Sequence, residues 1–407
     1  MPQENIALST KKNIALVLSG GGIKAAAFHI GVCLALKEFG FRFAGGTKEQ
    51  VAKNFPTDDP MVIRLYVGSS AGSFVASVIA AGYSLESLVN AFELGTGVPH
   101  PSFTDHHTTY MKPFSYSNVF SLNTKNILMA LPRTLLSNPL ALPGGLEGLL
   151  KNLFRINGFF TTKGAERYLR ESVLYHNDFH KLGVKLFILG TELNHSRKVI
   201  FGPETSTTEN ADPMYLSHVP ISQAVAASTS LPPFFAPYKI LGADQQENYY
   251  YDGEIRDTLS SHVAADQGAD LVISSYSTQP YHYAKALGSL HRYGIPVILN
   301  QALYQLIQQK IEKSIDHQRR VKTCYQLIDQ YCLDKNITDQ QREGLLKIIQ
   351  DVFQMRPEVD YLYIHPKPQN HEMFFVDHFS LDPKILGHIV RMGFKAGMSK
   401  ARRHFND

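Results

Sequence analysis

Residues 18–25 read LSGGGIKA, three consecutive glycines followed by an isoleucine and a lysine. The glycines sit between the apolar run Ile14 to Leu18, of strand length, and the Ala-rich stretch Ala25 to Leu36, long enough for a buried helix. A glycine turn from strand to helix accepts positive φ, lets a ligand approach bare backbone, and presents unpaired helix N–H groups to negative charge. Such a turn holds an anion, either a standing phosphate or the transient oxyanion of acyl transfer. The dinucleotide fingerprint fits Gly20-x-Gly22-x-x-Ala25 in form, but the acidic residue it needs about 20 residues on, ending a second strand, is missing. Glu38 lies in helical context before Gly40. The NTPase phosphate loop fails more plainly, because Lys24 is followed by Ala25 rather than Ser or Thr.

A second strand–turn–helix pattern follows. Residues 62–72, VIRLYVGSSAG, form an apolar run ending in Gly68-Ser69-Ser70-Ala71-Gly72, and Ser73 to Gly82 reads as a buried helix. This is G-x-S-x-G in the setting that gives it meaning, with Gly68 and Gly72 leaving room for Ser70 on a sharp turn. A serine nucleophile needs a base. Tyr249-Tyr250-Tyr251-Asp252-Gly253 ends a strand-like aromatic run with a carboxylate beside apolar rings, which limit its solvation and raise its pKa. Alone, each motif has a plainer reading: a glycine turn, a crowded helix junction, an Asp-Gly turn.

As an ordered set, S-G-G-G-I-K-A, G-S-S-A-G and the downstream D-G resemble the patatin-like phospholipase family. LFILGTELNHSRKVIFG (186–202), ISQAVAASTSLPPFFAPYKI (221–240) and VDYLYIHPKP (359–368) are similar to further stretches of that family. The resemblance covers roughly residues 12–275 and 357–400. It implies an α/β fold of three layers, a central, largely parallel sheet flanked by helices. It also implies a serine acyl hydrolase cleaving fatty-acyl esters of phospholipids or lysophospholipids, with no cofactor and no metal. Ser70 would be the nucleophile, Asp252 the sole base, Gly253 the turn after it, and the backbone of Gly20, Gly21 and Gly22 the oxyanion hole, with Lys24 adding positive field. One departure is Ala25, where the family has glycine.

Two other readings stay open. An ordinary Ser-His-Asp lipase would draw its histidine from those after Asp252, among them His262, His365 and His378, but Ser19 stands where a lipase-type His-Gly-Gly turn has histidine. A lipid-binding regulator could keep the fold without turnover. His29 reads as a packing histidine in the first helix.

With 407 residues, 44% hydrophobic and 19% charged, the chain can bury a large core. The expected organisation is one catalytic domain over 12–400. Within it, an apolar, proline-broken segment at 126–160 reads as a cover over a lipid site or as short core helices. A helical insertion spans 298–355, where Leu299, Leu303, Ile307, Ile311 and Ile315 step by four. Cys33, Cys324 and Cys332 have no metal spacing, and Asp105-His106-His107 reads as a solvated loop. A net charge of +4 gives no reason to expect nucleic acid, whereas Arg391, Lys395, Lys400, Arg402 and Arg403 form a basic face near the end that suits solvent or anionic headgroups. No signal peptide or membrane-spanning run is present, so the chain is expected in the cytoplasm or peripheral to membranes. The partners expected are the lipid substrate and a membrane surface, with an unknown activating protein left open.

Overall fold

The computed structural model describes residues 6–57, 59–93, 111–124, 157–206, 211–242, 245–353 and 356–405. Its strands are β1 (Ile14–Leu18), β2 (Arg42–Phe43), β3 (Val62–Ser69), β4 (Ser121–Leu122), β5 (Phe160–Thr161), β6 (Lys185–Glu192), β7 (Lys198–Phe201), β8 (Met214–Leu216), β9 (Tyr238–Leu241), β10 (Glu247–Asp252), β11 (Leu271–Ser275) and β12 (Asp360–Ile364). The main sheet runs β12-β11-β1-β3-β6-β10-β9, parallel from β12 to β6 and antiparallel at β10 and β9. β2 adds to β3, β7 adds to β6 and β8 to β7, and β4 with β5 forms a separate ribbon.

Successive side chains of a strand face opposite sides of a sheet, so strands covered on both sides read as unbroken apolar runs. The inner strands obey this. Ile14, Leu16 and Leu18 of β1, Leu186 and Ile188 of β6, and Leu271 and Ile273 of β11 enter one core. Ala15 and Val17, Phe187 and Leu189, and Val272 enter another on the opposite face. The result is a helix–sheet–helix sandwich, the three-layer α/β architecture expected from the sequence.

The helix Ile23–Glu38, which leaves the glycine turn, packs against the helix Pro383–His404. Their backbones touch: a Cβ on Gly31 would lie 2.0 Å from the Val390 carbonyl oxygen, and one on Gly393 would lie 2.1 Å from that of Phe28. The basic residues of the tail, Arg391, Lys395, Arg402 and Arg403, are exposed on this last helix, while Gly393 and Gly397 face inward.

Between β11 and β12 run the helices Ile295–Asp334 and Asp339–Phe353. The first starts at Ile295, ahead of the expected 298, because Gly294 takes φ +85° as its cap and Pro296 fits the first turn. The four-residue spacing divides along its length. Ile311 is buried and Ile307 and Ile315 pack on the sheet, but Leu299 and Leu303 point outward. Most of the apolar 126–160 segment lies outside the described residues, as does Asp105-His106-His107.

Candidate active site

β3 and β10 meet the same strand, β6, at consecutive positions. Ser69 at the end of β3 pairs with Leu189, and Asp252 at the end of β10 pairs with Gly190. Ser70 and Asp252, far apart in sequence, are therefore brought together by backbone register. Both are buried, at 6% and 1% exposure.

Ser70 takes φ +49° and ψ −124°, a backbone state costing on the order of 1–3 kcal/mol for a residue with a side chain. Its surroundings enforce the state. Its N–H donates to Ser228 Oγ at 2.8 Å, and the helix Ala71–Ala80 starts immediately after it. Gly72 donates to the Ser19 carbonyl at 3.1 Å, and a Cβ there would lie 2.1 Å from the Leu18 oxygen, so the elbow presses on the end of β1. Gly68 is likewise in contact with the backbone of Ser73.

The glycine turn lies against the same serine. A Cβ on Gly20 would fall 2.8 Å from Ser70 Cβ, so nothing larger than glycine fits between them. Gly21 and Gly22 take φ +131° and +76°, the left-handed side open to glycine. The Gly20 N–H donates to Glu254 Oε1 at 2.7 Å, whereas those of Gly21 and Gly22 find no acceptor among the described residues. The buried Ser277 hydroxyl, also without a partner, borders Gly21.

Lys24 is buried, and its ammonium donates to the carbonyl oxygens of Met373 (2.7 Å) and Val376 (3.1 Å) beneath the Tyr304 ring. Burial lowers its pKa to about 7 against the pull of Asp377. Its hydrogen bonds thus tie the first helix to the segment that also supplies His378 O, acceptor of the Ile23 N–H.

Burial raises the Asp252 pKa to about 6, opposed by the nearby Ser70 hydroxyl and by the Glu254 N–H, which donates to Asp252 Oδ1 at 2.9 Å. From an ordinary value of 3.8 this is on the order of 3 kcal/mol against the charged form. The carboxyl group is a stronger base than an exposed aspartate and remains largely ionised at neutral pH. Gly253 follows in a tight turn resting on the Leu189 oxygen.

No described histidine bonds Ser70 or Asp252. His29 is neutral and satisfied, its ring nitrogens on Ser19 O (2.9 Å) and Ser275 Oγ (2.8 Å), with burial lowering its pKa to about 4. His262 sits with Lys198 and Asp257, His365 stacks on Tyr276, and His378 bonds Tyr304. Residues the sequence did not single out are Glu254, Ser277 and Ser228. Beside them, Asp252 N–H donates to Ser230 O at 3.1 Å, and the chain continues into Phe234 and Phe235. Phe120, Phe160, Phe235 and Phe379 gather there with ring centroids 5.1–6.1 Å apart.

Among solved structures, the chain is similar to full-length ExoU in complex with full-length SpcU, from the type III secretion system of Pseudomonas aeruginosa. The likeness has 14% identity over 96% of this chain and 77% of that one, with a TM-score of 0.27. No curated protein matches the chain. The family model of the patatin-like phospholipases matches residues 16–265, which hold the glycine turn, Ser70 and Asp252. The chain belongs to the patatin-like phospholipase family.

Proposed function

We propose that the chain is a phospholipase A or lysophospholipase that works through an acyl-enzyme on Ser70, with Asp252 as its only base. The observation that carries this reading is the register on β6, which sets a strained, buried serine beside a buried carboxylate. The Ser70 hydroxyl attacks the ester carbonyl while Asp252 accepts its proton. The oxyanion forms against the free N–H groups of Gly21 and Gly22. Asp252 then returns the proton to the departing alcohol, a glycerol oxygen of the lipid. Asp252 then takes a proton from water, whose oxygen attacks the acyl carbonyl, and returns it to the Ser70 oxygen as the fatty acid is released. The phenylalanine cluster beside Ser230 offers an apolar wall for the acyl chain. Incubation with phosphatidylcholine and lysophosphatidylcholine micelles should release free fatty acid, measured by mass spectrometry. Release from neither, by protein that hydrolyses no soluble ester, would leave only a lipid-binding role.

Gly21→Ala tests the oxyanion assignment. The new Cβ would meet Ser277 Oγ at 2.8 Å and Ala25 Cβ at 3.0 Å, on a φ that disfavours any side chain. kcat should fall ~100-fold or more with a smaller change in KM, the pattern for a lost oxyanion donor. An unchanged kcat, or calorimetric binding of NAD or ATP that the substitution abolishes, would favour the nucleotide turn instead.

A membrane surface fits the start of the helical insertion. Tyr283, Ile295 and Leu299 are exposed, the last two by 72% and 63%, and no acidic residue occurs between Asp270 and Glu312. Lys285 and Arg292 lie in the same acid-free stretch. Exposed tyrosine, aliphatic side chains and basic residues together match the interface of an anionic bilayer. No described helix is long and apolar enough to cross a membrane. Ile295→Glu with Leu299→Glu should weaken binding to phosphatidylserine-containing vesicles by roughly tenfold or more while sparing soluble-ester hydrolysis. Equal sedimentation with vesicles would move the membrane contact elsewhere, the basic face of the last helix being next in line.

A further inference from the structure

Glu254 is a second buried carboxyl group at the site, two residues beyond Asp252. It joins three pieces of backbone that converge on Ser70. Its Oε1 accepts the Gly20 N–H at 2.7 Å, and its own N–H donates to Asp252 Oδ1 at 2.9 Å. The buried Ser69 hydroxyl, which has no hydrogen-bond partner among the described residues, lies close enough to the same carboxyl group to pull its pKa down. The fit to the turn is close: a Cβ on Gly20 would lie 2.6 Å from Glu254 Cγ. A long acidic side chain is costly to bury, and here it goes inward to one N–H of the glycine turn while the next two stay free.

We propose that Glu254 is a positioning residue for acyl transfer: by holding the Gly20 N–H it fixes the glycine turn against the Ser70–Asp252 pair, leaving Gly21 and Gly22 to meet the oxyanion. This rests on the acyl-hydrolase reading above. Glu254 does not compete with Asp252 as base, because its bonded oxygen is engaged by Gly20 and the Ser70 hydroxyl acts on the Asp252 carboxyl group rather than on Glu254. Its protonation matters as well. Burial first, then the charge of Asp252, raises its pKa to about 8. The other charged group acting on it is Asp257, which is paired with Lys198 at 3.0 Å and faces His262 at 3.4 Å. Both shifts run upward and the larger is on Glu254, so a proton held by the pair rests preferentially on Glu254 and leaves the charge on the base. Above about 8 a second charge appears beside the forming oxyanion and opposes it.

The test compares wild type, E254A, E254Q and S70A on a soluble p-nitrophenyl acyl ester between about pH 5 and 10, with thermal melts alongside. E254A should lower kcat by ~100-fold or more with KM within ~3-fold, and E254Q, whose amide oxygen still accepts from Gly20, should recover at least ~10-fold of that loss. In wild type, kcat/KM should fall again above about 8, and in E254Q that fall should vanish. If E254A does not fold, the E254Q profile decides alone. The proposal is overturned if E254A matches or exceeds wild type, which would make Glu254 a bystander or an obstruction. It is also overturned if E254Q is as poor as a folded E254A, or keeps the alkaline fall. Activity surviving in S70A would instead remove the acyl-enzyme reading on which it rests.

Discussion

Ser70→Ala is expected to lower acyl-ester hydrolysis by ~10⁴-fold or more, the scale for deleting a catalytic nucleophile, with an unchanged circular dichroism spectrum. The size of the effect follows from the geometry. The hydroxyl is lost at a buried elbow whose conformation is imposed by Ser228, Gly72 and the end of β1 rather than by Ser70 Oγ. The backbone should therefore stay as it is while the chemistry stops. Rates within tenfold of wild type would place the nucleophile elsewhere.

The next largest effect is expected from Asp252→Asn. The amide keeps the shape and can still accept the Glu254 N–H, but it cannot take a proton, so kcat should fall by at least ~100-fold. The pH profile carries the sign. A base must be ionised to act, and the ionised fraction of Asp252 grows as pH rises through about 6. Wild-type kcat/KM should accordingly climb through that value and lose its activity below it, and the residual rate of Asp252→Asn should show no such limb. No single His→Ala change among His262, His365 and His378 should match the loss. One that did, with the fold intact, would restore the triad hydrolase.

Much of this was legible in the sequence because local patterns and their order were enough. Apolar runs ending in glycine-rich turns before Ala-rich stretches specify strand–turn–helix units, and two such units in series point to parallel strands covered on both faces. The turn chemistry at Gly20–Gly22 and around Ser70 is equally local. What the sequence could not disclose depends on long-range register. That Asp252 stands next to Ser70 is a property of β6, whose consecutive residues Leu189 and Gly190 receive the two strand ends. Glu254 was missed for the same reason: a charged residue after Asp-Gly reads as an exposed turn, and only the tertiary fold shows it turned inward to Gly20. Lys24 looked like a cation aimed at the glycine turn, but its Nζ spends its hydrogen bonds on Met373 and Val376, residues the local pattern gives no reason to bring near. The outward Leu299 and Leu303 share their four-residue spacing with the inward Ile311, since periodicity reports a helix face without saying what covers it.

The central claim is that an acyl group is carried by Ser70, and covalent trapping addresses it most directly. The protein is reacted with a fluorophosphonate, digested, and the modified peptide sequenced by tandem mass spectrometry. A single adduct on Ser70, formed with loss of hydrolysis in proportion to labelling and strongly slowed in Asp252→Asn, is the predicted result. An adduct on Ser69 or any other residue, or full hydrolytic activity in protein whose Ser70 is quantitatively modified, would contradict it.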